Sequence, residues 1–159
     1  MVVMLDGCDG TGKTTISEKL ANKLGCNIIR LTNGGDRSLM AYRELYSCKN
    51  VVHDRTFLSE VIYPKYFHRA SRLVTCDEMA LFKVFRAKFK NNTFILTASD
   101  EAIRERIGKR GDEFISDINL FKQINADYIK LAKKEGYCII DTTDKSIDAI
   151  VEEIGGHLK

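Results

Sequence analysis

Five short runs of apolar and β-branched residues recur along the chain, separated by longer stretches with helical periodicity. The runs predict strands at residues 2–5, 27–31, 51–53, 93–97 and 137–140. None of them alternates cleanly between apolar and polar residues, and several are apolar at consecutive positions, as expected for strands buried on both faces. This pattern predicts a parallel sheet with helices on both faces.

The stretches between the strands predict seven helices. They cover residues 13–24, 38–48, 57–68, 77–90, 101–109, 113–135 (with room for an interruption) and 147–154. Pro64 is the only proline and falls in the third helical pattern, where we expect a kink or a late helix start. Because no repeat, linker or low-complexity segment divides the chain, we predict a single α/β domain over residues 1–159.

The composition predicts one soluble domain with a sizeable core, since 44% of the 159 residues are hydrophobic and 30% are charged. The formal net charge of +3 is too small to indicate a nucleic-acid or membrane partner. No apolar run approaches the roughly eighteen residues of a membrane helix, and a strand pattern from Val2 leaves no room for a signal peptide. We therefore expect a cytoplasmic protein. The cysteines and histidines show no metal-ligand spacing, so neither a zinc site nor a disulfide framework is indicated.

A complete phosphate-binding motif, G-x-x-x-x-G-K-[ST], runs from Gly7 to Thr14 as "GCDGTGKT". It follows a predicted strand and begins a predicted helix, which is the structural context that the motif requires. Lys13 is expected to reach the β- and γ-phosphates of a nucleotide, and the Thr14 hydroxyl is expected to hold Mg²⁺. The motif predicts ATP and Mg²⁺ as cofactors. The candidate nucleotide-binding residues here are Gly7, Asp9, Gly10, Thr11, Gly12, Lys13, Thr14 and Thr15.

The motif also predicts a P-loop NTPase-type three-layer fold with a central five-stranded parallel sheet. The sequence supplies no N-K-x-D element of the kind that reads guanine in GTPases, and residues 143–146 are the nearest stretch. The chain is also short for an oligomeric motor ATPase. A small kinase therefore fits best.

An acid and an arginine follow the third predicted strand directly. Asp54 lies where a P-loop sheet places a second acid for Mg²⁺ or its water shell, so it is a candidate metal ligand. Arg55 comes next, and a guanidinium group is a natural bidentate partner of phosphate. Without the P-loop the two residues would be read as a surface ion pair.

Together, "LDGCDGTGKTT" and "DRTFLSEVIY" resemble the thymidylate kinases and related nucleotide kinases. Members of that family read roughly E-G-x-D-G-x-G-K-[ST] and then D-R-[YS]-x-x-S-x-x-x-Y. Asp54, Arg55, Ser59 and Tyr63 match the second element. The resemblance implies that Arg55 binds the phosphate of an acceptor nucleotide, that Ser59 and Tyr63 line the acceptor pocket, and that Asp9 orients the acceptor.

The last predicted helix, strand and helix also resemble the end of these kinases, so the resemblance covers most of the chain. It implies that the turn at residues 141–144 lies near the adenine, which makes Thr142 a candidate nucleotide-binding residue. It further implies a homodimer, since family members are often dimers.

Two departures from the family pattern concern the acceptor. The family's T-R-E-P-G-G element is reduced to "LTNGGD", with Thr32 to Asp36 in its place, and its arginine is missing. The region from 34 to 50 is shorter than the one in which family members read thymine. Tyr42 and Arg43 lie there and are read either as substitutes or as an ordinary helix face.

A basic segment, "EAIRERIGKRGDEF" at residues 101–114, is the candidate lid. Arg106 and Arg110 are four residues apart and share a helix face, with Arg104 as a weaker candidate. On its own the segment reads as a solvated helix. Phosphoryl transfer, however, needs positive charge on the γ-phosphoryl oxygens, and some thymidylate kinases supply it from a closing lid. Arg106 and Arg110 are therefore predicted to be catalytic.

An aromatic and basic helix, "LFKVFRAKFKNN", spaces Phe82, Phe85 and Phe89 at i, i+3 and i+7. Aromatic and basic residues interleaved in this way can bind single-stranded nucleic acid. Helical phase places the two sets on neighbouring faces, which favours an ordinary amphipathic helix. A nucleic-acid acceptor remains the minor interpretation.

Three hypotheses follow for the function. The first is a (deoxy)nucleoside monophosphate kinase that transfers the γ-phosphoryl of ATP. The second is a nucleoside or other hydroxyl kinase, including one that acts on a modified base in DNA, with Asp6 as the base. The third is a non-catalytic ATP-binding switch. Asp6 replaces the family's glutamate at the end of the first strand, where it is predicted to organise Mg²⁺-bound water or to act as that base.

Overall fold

The computed structural model describes residues 1–31, 39–71, 78–109 and 118–158 of the chain. They form one parallel sheet of five strands in the order β2-β3-β1-β4-β5. The strands are β1 (Val2–Gly7), β2 (Asn27–Arg30), β3 (Val51–Asp54), β4 (Thr93–Thr97) and β5 (Cys138–Asp141). All five correspond to the runs that the sequence predicted.

The P-loop follows the central strand of this sheet. β1 pairs in parallel with β3 on one side and with β4 on the other. The chain therefore turns to opposite sides of β1 at the carboxyl end of the sheet, and ligands of open α/β sheets bind at such a switch point.

In the described residues, seven helices cover the two faces of the sheet. They are α1 (Lys13–Leu24), α2 (Leu39–Leu45), α3 (Leu58–Tyr66), α4 (Glu78–Phe89), α5 (Asp100–Gly108), α6 (Ile118–Glu135) and α7 (Ile147–His157), with a 3₁₀ turn at Lys90–Asn92. This confirms the predicted three-layer P-loop fold.

The two faces bury separate apolar clusters because alternate residues of each strand point to opposite sides. On the α1–α7 face, Leu5 packs in a cluster with Ile16 of α1 and Ile154 of α7. On the α3–α6 face, Met4 packs in a cluster with Phe85 of α4. Leu5 and Asp6 are adjacent at the end of β1 and therefore project to different faces.

The aromatic helix packs into the core on the α3–α6 face. Phe85 and Phe89 are buried and Phe82 packs against the same cluster, whereas Lys83 and Arg86 are exposed. The interpretation of this segment as an amphipathic helix is therefore confirmed. Within the described parts of the chain, no helix is long and apolar enough to span a membrane.

Pro64 lies within α3, which begins at Leu58, so the expected late helix start is wrong. Proline has no N–H to donate to the carbonyl of Glu60 four residues earlier. That carbonyl instead accepts a hydrogen bond from the Ser71 hydroxyl at 3.1 Å. The helix ends two residues after the proline, at Tyr66.

Candidate active site

The P-loop joins β1 to α1 through two glycines in the left-handed region, Gly10 with φ 83° and Gly12 with φ 85°. Residues with a side chain rarely adopt this conformation. Gly12 caps α1 without a side-chain hydrogen bond. The first N–H groups of α1 therefore remain directed at the space above the loop, where an anion would be stabilised.

Lys13 folds back over this loop. Its Nζ donates to the carbonyl oxygen of Cys8 at 2.6 Å and lies 4.0 Å from Oδ1 of Asp9. Burial, followed by the neighbouring charge of Arg55, lowers the pKa of Lys13 below its ordinary value. The ammonium group is thus held at the loop in a place where an anionic ligand would stabilise its charge.

Thr14 and Asp54 face each other on the α1–α7 face of the sheet. The Thr14 hydroxyl donates to Oδ2 of Asp54 at 3.0 Å, and the Asp54 side chain is only 6% exposed. Two oxygen donors beside a phosphate-binding loop fit Mg²⁺, which takes one or two protein ligands together with phosphate oxygens and water. In the described residues no group of three or more His, Cys, Asp or Glu side chains could hold a metal ion. A metal held mainly by a nucleotide is consistent with that finding.

Arg55 is held between an acid and an aromatic ring on the other side of the loop. One of its Nη atoms pairs with Oδ1 of Asp9, and its guanidinium carbon lies 5.1 Å from the centre of the Tyr63 ring. The Tyr63 hydroxyl donates to Oδ2 of Asp9 at 2.9 Å and accepts from the Asp9 N–H at 3.1 Å. Asp9, Arg55 and Tyr63 therefore form one contact set, as the sequence motif suggested.

The backbone at Arg55 has φ 75°, a left-handed conformation that is rare for a residue with a long side chain. Its N–H still donates to the carbonyl of Leu5 at 2.9 Å, so the residue continues the pairing of β3 with β1. Although they are adjacent in sequence, Asp54 therefore contacts Thr14 and Arg55 contacts Asp9, on opposite sides of the P-loop.

The sequence suggested Asp6 as a base or as a partner of Mg²⁺-bound water. This side chain is fully buried on the α3–α6 face. It accepts five hydrogen bonds: Oδ1 accepts from the Gly7 N–H and from the hydroxyls of Ser59 and Tyr128, and Oδ2 accepts from the N–H and hydroxyl of Thr56, all at 2.6–2.9 Å. The carboxylate is therefore enclosed by donors of the protein itself.

We refer to Asp6, Thr56, Ser59 and Tyr128 as the Asp6 cluster. It ties the end of β1 to the turn after β3 and to helices α3 and α6. Ser59 was predicted to line the acceptor pocket, but its hydroxyl bonds Asp6 and lies 3.5 Å from Nη1 of Arg55, so it reaches the acceptor side through that arginine. Its predicted contact with the acceptor remains untested.

Sequence reasoning missed Tyr128. It is fully buried on α6, and burial, followed by the charge of Asp6, raises its pKa well above the ordinary value. The hydroxyl therefore stays protonated and donates to Asp6 at 2.8 Å. The spacing of Phe121, Ile124, Tyr128 and Ala132 indicates a buried stripe on the helix, but 122 residues separate Tyr128 from its partner.

A cleft of about 280 Å³ lies beside the P-loop on its donor side. The loop and α1 line it with Gly10, Thr11, Gly12 and Thr15. On the other side it is lined by Arg106 of α5, by Lys109 directly after α5, and by Thr142 in the turn after β5. The Thr142 hydroxyl lies 3.1 Å from the carbonyl of Thr11. Thr142 therefore lies beside the P-loop, and its expected position near an adenine remains a prediction.

Arg106 was predicted to reach the transferring phosphoryl group, and its guanidinium lies at the wall of this cleft. It donates to the Thr142 carbonyl at 2.6 Å, to the Thr142 hydroxyl at 2.9 Å and to the Gly10 carbonyl at 3.3 Å. Gly10 packs closely on α5, since a Cβ there would come within 3.2 Å of Ile103 and Ile107. These contacts hold the Arg106 guanidinium between the P-loop and the turn after β5.

Other predicted residues lie outside the described part of the chain. Arg110 and residues 110–114 of the predicted lid fall there, as do Thr32 to Asp36. Residues 101–108 belong to α5, and Lys109 follows the helix; Arg104 is exposed. Tyr42, considered as a base-reading residue, is 1% exposed in the aromatic core against Phe57, so that interpretation is wrong for Tyr42. Arg43 is exposed.

Comparisons with known proteins agree with this fold. No protein-family model matches the chain. The chain is 25% identical to a probable thymidylate kinase of Methanocaldococcus jannaschii, with 100% of the chain and 96% of that protein covered. It is 25% identical to a putative adenylate kinase of Pyrococcus furiosus, with 97% and 82% covered. The resemblance to thymidylate kinases and related nucleotide kinases is thereby confirmed.

Two solved structures share the fold. One is the YorR protein of Bacillus subtilis in complex with phosphorylated GDP, with a TM-score of 0.77, 23% identity, and 98% of this chain and 94% of that chain covered. Another is deoxyadenosine kinase from M. mycoides with bound dATP, with a TM-score of 0.69, 19% identity, and 98% and 97% covered.

Proposed function

We propose that this chain is an ATP-dependent phosphotransferase that moves the γ-phosphoryl group of ATP to the phosphate of a (deoxy)nucleoside monophosphate. The observation that carries the proposal is the contrast between the surroundings of two side chains next to the P-loop. Arg55 is held beside the loop as a cation for an anionic acceptor, whereas Asp6, the candidate base, is enclosed by five donors. The curated relatives, named as thymidylate and adenylate kinases, support the same activity.

The donor side binds ATP through the loop and the cleft beside it. The N–H groups of the loop, the first turn of α1 and Lys13 hold the phosphates, and Arg106 and Thr142 line the cleft that takes the rest of the donor nucleotide. Thr14 and Asp54 would hold Mg²⁺, which neutralises charge on the phosphates when it is bound.

The acceptor side binds a phosphate that is already an anionic nucleophile. Such an acceptor needs its charge neutralised more than it needs a base, because its attacking oxygen is already deprotonated. Arg55 supplies the charge, Asp9 fixes the direction of the guanidinium, and Tyr63 supports it from below with its ring face.

A hydroxyl acceptor would need a base at this site. Asp6 no longer qualifies, because the Asp6 cluster uses both of its oxygens. Asp9 is the partly exposed carboxylate nearby, and its oxygens bond Arg55 and Tyr63. Both Asp9 oxygens are therefore already engaged, so the site favours the phosphate acceptor.

Several further expectations belong to this proposal. A small-molecule acceptor and a cytoplasmic location fit the chemistry, and the predicted homodimer remains a prediction. Arg110 remains a candidate for the arginine that stabilises charge on the transferring group, because phosphoryl transfer by this route needs more positive charge than Lys13 alone supplies.

The test is an ADP-release assay with ATP, Mg²⁺ and a panel of nucleosides, nucleoside monophosphates and short DNA. We expect turnover on monophosphates. Turnover on nucleosides without any on monophosphates would contradict the proposal and support a hydroxyl kinase. Binding of ATP without turnover on any acceptor would indicate the switch hypothesis.

Arg55→Ala sharpens the same assay. Loss of one charge-assisted phosphate contact is expected to lower kcat/KM for the acceptor roughly 10²-fold, with little change in ATP binding. Arg55→Lys should recover part of the loss. Arg86→Ala is the control, because Arg86 is also an arginine paired with an acid, Glu135, but it is exposed and lies on α4.

A further inference from the structure

An arginine that the sequence motifs do not include contacts the candidate metal site. Nε of Arg30, the last residue of β2, lies 3.3 Å from Oδ2 of Asp54. A terminal nitrogen of the same guanidinium pairs with Glu18 of α1. The Arg30 side chain is 43% exposed, whereas the Asp54 side chain is 6% exposed. The guanidinium group therefore lies between the buried carboxylate and the solvent.

Strand register explains why Arg30 reaches this face. Arg30 is directly opposite Asp54 in the pairing of β2 with β3, and residues opposite each other in parallel strands project to the same face. That face carries α1, with both Thr14 and Glu18. Leu31, one residue later, packs against the cluster on the other face. Arg30 therefore faces the donor metal site and cannot stand in for an acceptor-side arginine.

Two groups converge on one carboxylate oxygen. Oδ2 of Asp54 accepts a hydrogen bond from the Thr14 hydroxyl at 3.0 Å and forms an ion pair with Nε of Arg30 at 3.3 Å. These two contacts lie at the oxygen that a cation, or water bound to it, would need. Thr14 can rotate its hydroxyl proton away, but Arg30 keeps its charge at any ordinary pH and repels a divalent ion at this distance.

We infer that Arg30 is a resident counter-ion of Asp54 that has to leave Oδ2 before a divalent cation can bind there with the nucleotide. The inference rests on the donor half of the proposed function and is independent of the acceptor. It predicts that the chain holds the divalent cation more weakly than Thr14 and Asp54 alone would allow. It also gives the arginine a second task, which is to neutralise a buried acid while the site is empty.

The experiment measures Mn²⁺ binding by electron paramagnetic resonance in the presence of saturating ADP and no acceptor. We expect Arg30→Gln to bind Mn²⁺ roughly three- to tenfold more tightly than the wild type, because one positive charge next to Asp54 is lost. Arg30→Lys, which keeps the charge, should remain within about twofold of the wild type. Asp54→Asn should weaken Mn²⁺ binding both in the wild type and in Arg30→Gln.

Lys19→Gln is the matched control for general electrostatics. Lys19 is also an exposed cation of the α1 surface, but it pairs with Asp148 of α7 at 3.0 Å. Equal tightening in Lys19→Gln and Arg30→Gln would overturn the inference, since the effect would then be net charge. Unchanged or weaker Mn²⁺ binding in Arg30→Gln, with the urea midpoint of the wild type, would overturn it as well.

The same measurement separates the inference from the proposed function. Absence of Mn²⁺ binding in wild-type protein with ADP would overturn both the metal assignment and the role of Arg30. Normal Mn²⁺ behaviour with no turnover on monophosphates would overturn only the proposed acceptor.

Discussion

The two sides of the P-loop are built in different ways. On the donor side, Gly10, Gly12 and Thr11 present backbone groups, and Arg106 bonds mainly carbonyl oxygens. On the acceptor side, side chains bond side chains, and two carboxylates from the ends of the same short stretch, Asp6 and Asp9, organise them. The donor side depends on the course of the chain, whereas the acceptor side depends on individual charged groups.

This difference teaches where single substitutions act. Backbone donors survive most side-chain changes, because every residue type other than proline supplies the same N–H. A buried carboxylate with five donors has no substitute among the other side chains. We therefore expect substitutions on the acceptor side to lower the free energy of unfolding more than those on the donor side. We also expect them to change the kinetics of one substrate more than those of the other.

The largest expected effect is that of Asp6→Asn. An amide would direct N–H groups at Thr56 or Ser59, which already donate to that position, so the free energy of unfolding should fall by about 3 kcal/mol or more. Asp9→Asn alters a carboxylate that is 35% exposed, and it should cost less than about 1 kcal/mol. Urea unfolding checks both. A stable Asp6→Asn protein that has lost turnover would instead indicate that Asp6 takes part in the chemical step.

The second effect concerns acid stability. His53 is fully buried on the α3–α6 face, 5.3 Å from the Tyr46 ring, and neither ring nitrogen has a hydrogen-bond partner among the described residues. Burial lowers its pKa to about 4 from an ordinary 6.5. Between these pH values the His53 imidazole binds a proton more strongly in the unfolded chain than in the folded one. The contribution of neutral His53 to the free energy of unfolding is therefore fully present above pH 6.5 and falls by about 3 kcal/mol as the pH decreases to 4.

His53→Leu checks that prediction, since it removes the titrating group and keeps an apolar side chain. The difference in unfolding free energy between wild type and variant should change with pH only in this window. A difference that is constant from pH 4 to pH 7 would show that His53 is not held neutral.

A smaller effect is expected for Tyr128→Phe. The change removes one of five hydrogen bonds to Asp6 and should cost about 1 kcal/mol of stability. Because the Asp6 cluster positions Ser59 next to Arg55, KM for the acceptor should rise severalfold while ATP binding stays within about twofold. Equal changes in both substrates would mean that Tyr128 supports the whole loop.

Thr142→Val is the donor-side counterpart and has the smallest expected effect. The Thr142 hydroxyl contacts Arg106 and the Thr11 carbonyl, but the Thr142 carbonyl and the Gly10 carbonyl still hold the arginine. KM for ATP should rise about two- to fivefold and KM for the acceptor should stay constant. Steady-state kinetics with each substrate varied in turn would compare this variant with Tyr128→Phe.

The sequence predicted the elements and the donor loop well because their signals are local. All five strands match within three residues, and α1 begins and ends where the periodicity placed it, at Lys13–Leu24. The P-loop is one contiguous segment whose backbone follows from its glycines. Asp54 could be placed opposite Thr14 because both come from strand and helix ends that a parallel sheet brings together.

The sequence could not predict the bonds of Asp6 or the contact of Arg30. Both depend on which face a residue at a strand end occupies, and a shift of one residue reverses that face. Asp6 projects away from Asp54 although the two strands are neighbours, while Arg30 projects toward it. The contacts of Arg106 could not be predicted for a related reason: the four-residue spacing identifies a helix face but not the surface on which it packs.

The left-handed backbone of Arg55 has a consequence for how this protein can be changed. At φ 75° an arginine costs about 1–2 kcal/mol relative to glycine, yet the proposed chemistry requires the guanidinium at this position. Selection for thermal resistance alone would favour glycine here and selection for turnover would oppose it. A library of variants screened only for folded protein would therefore accumulate variants with glycine at position 55. These variants would be more stable than the parent protein but inactive.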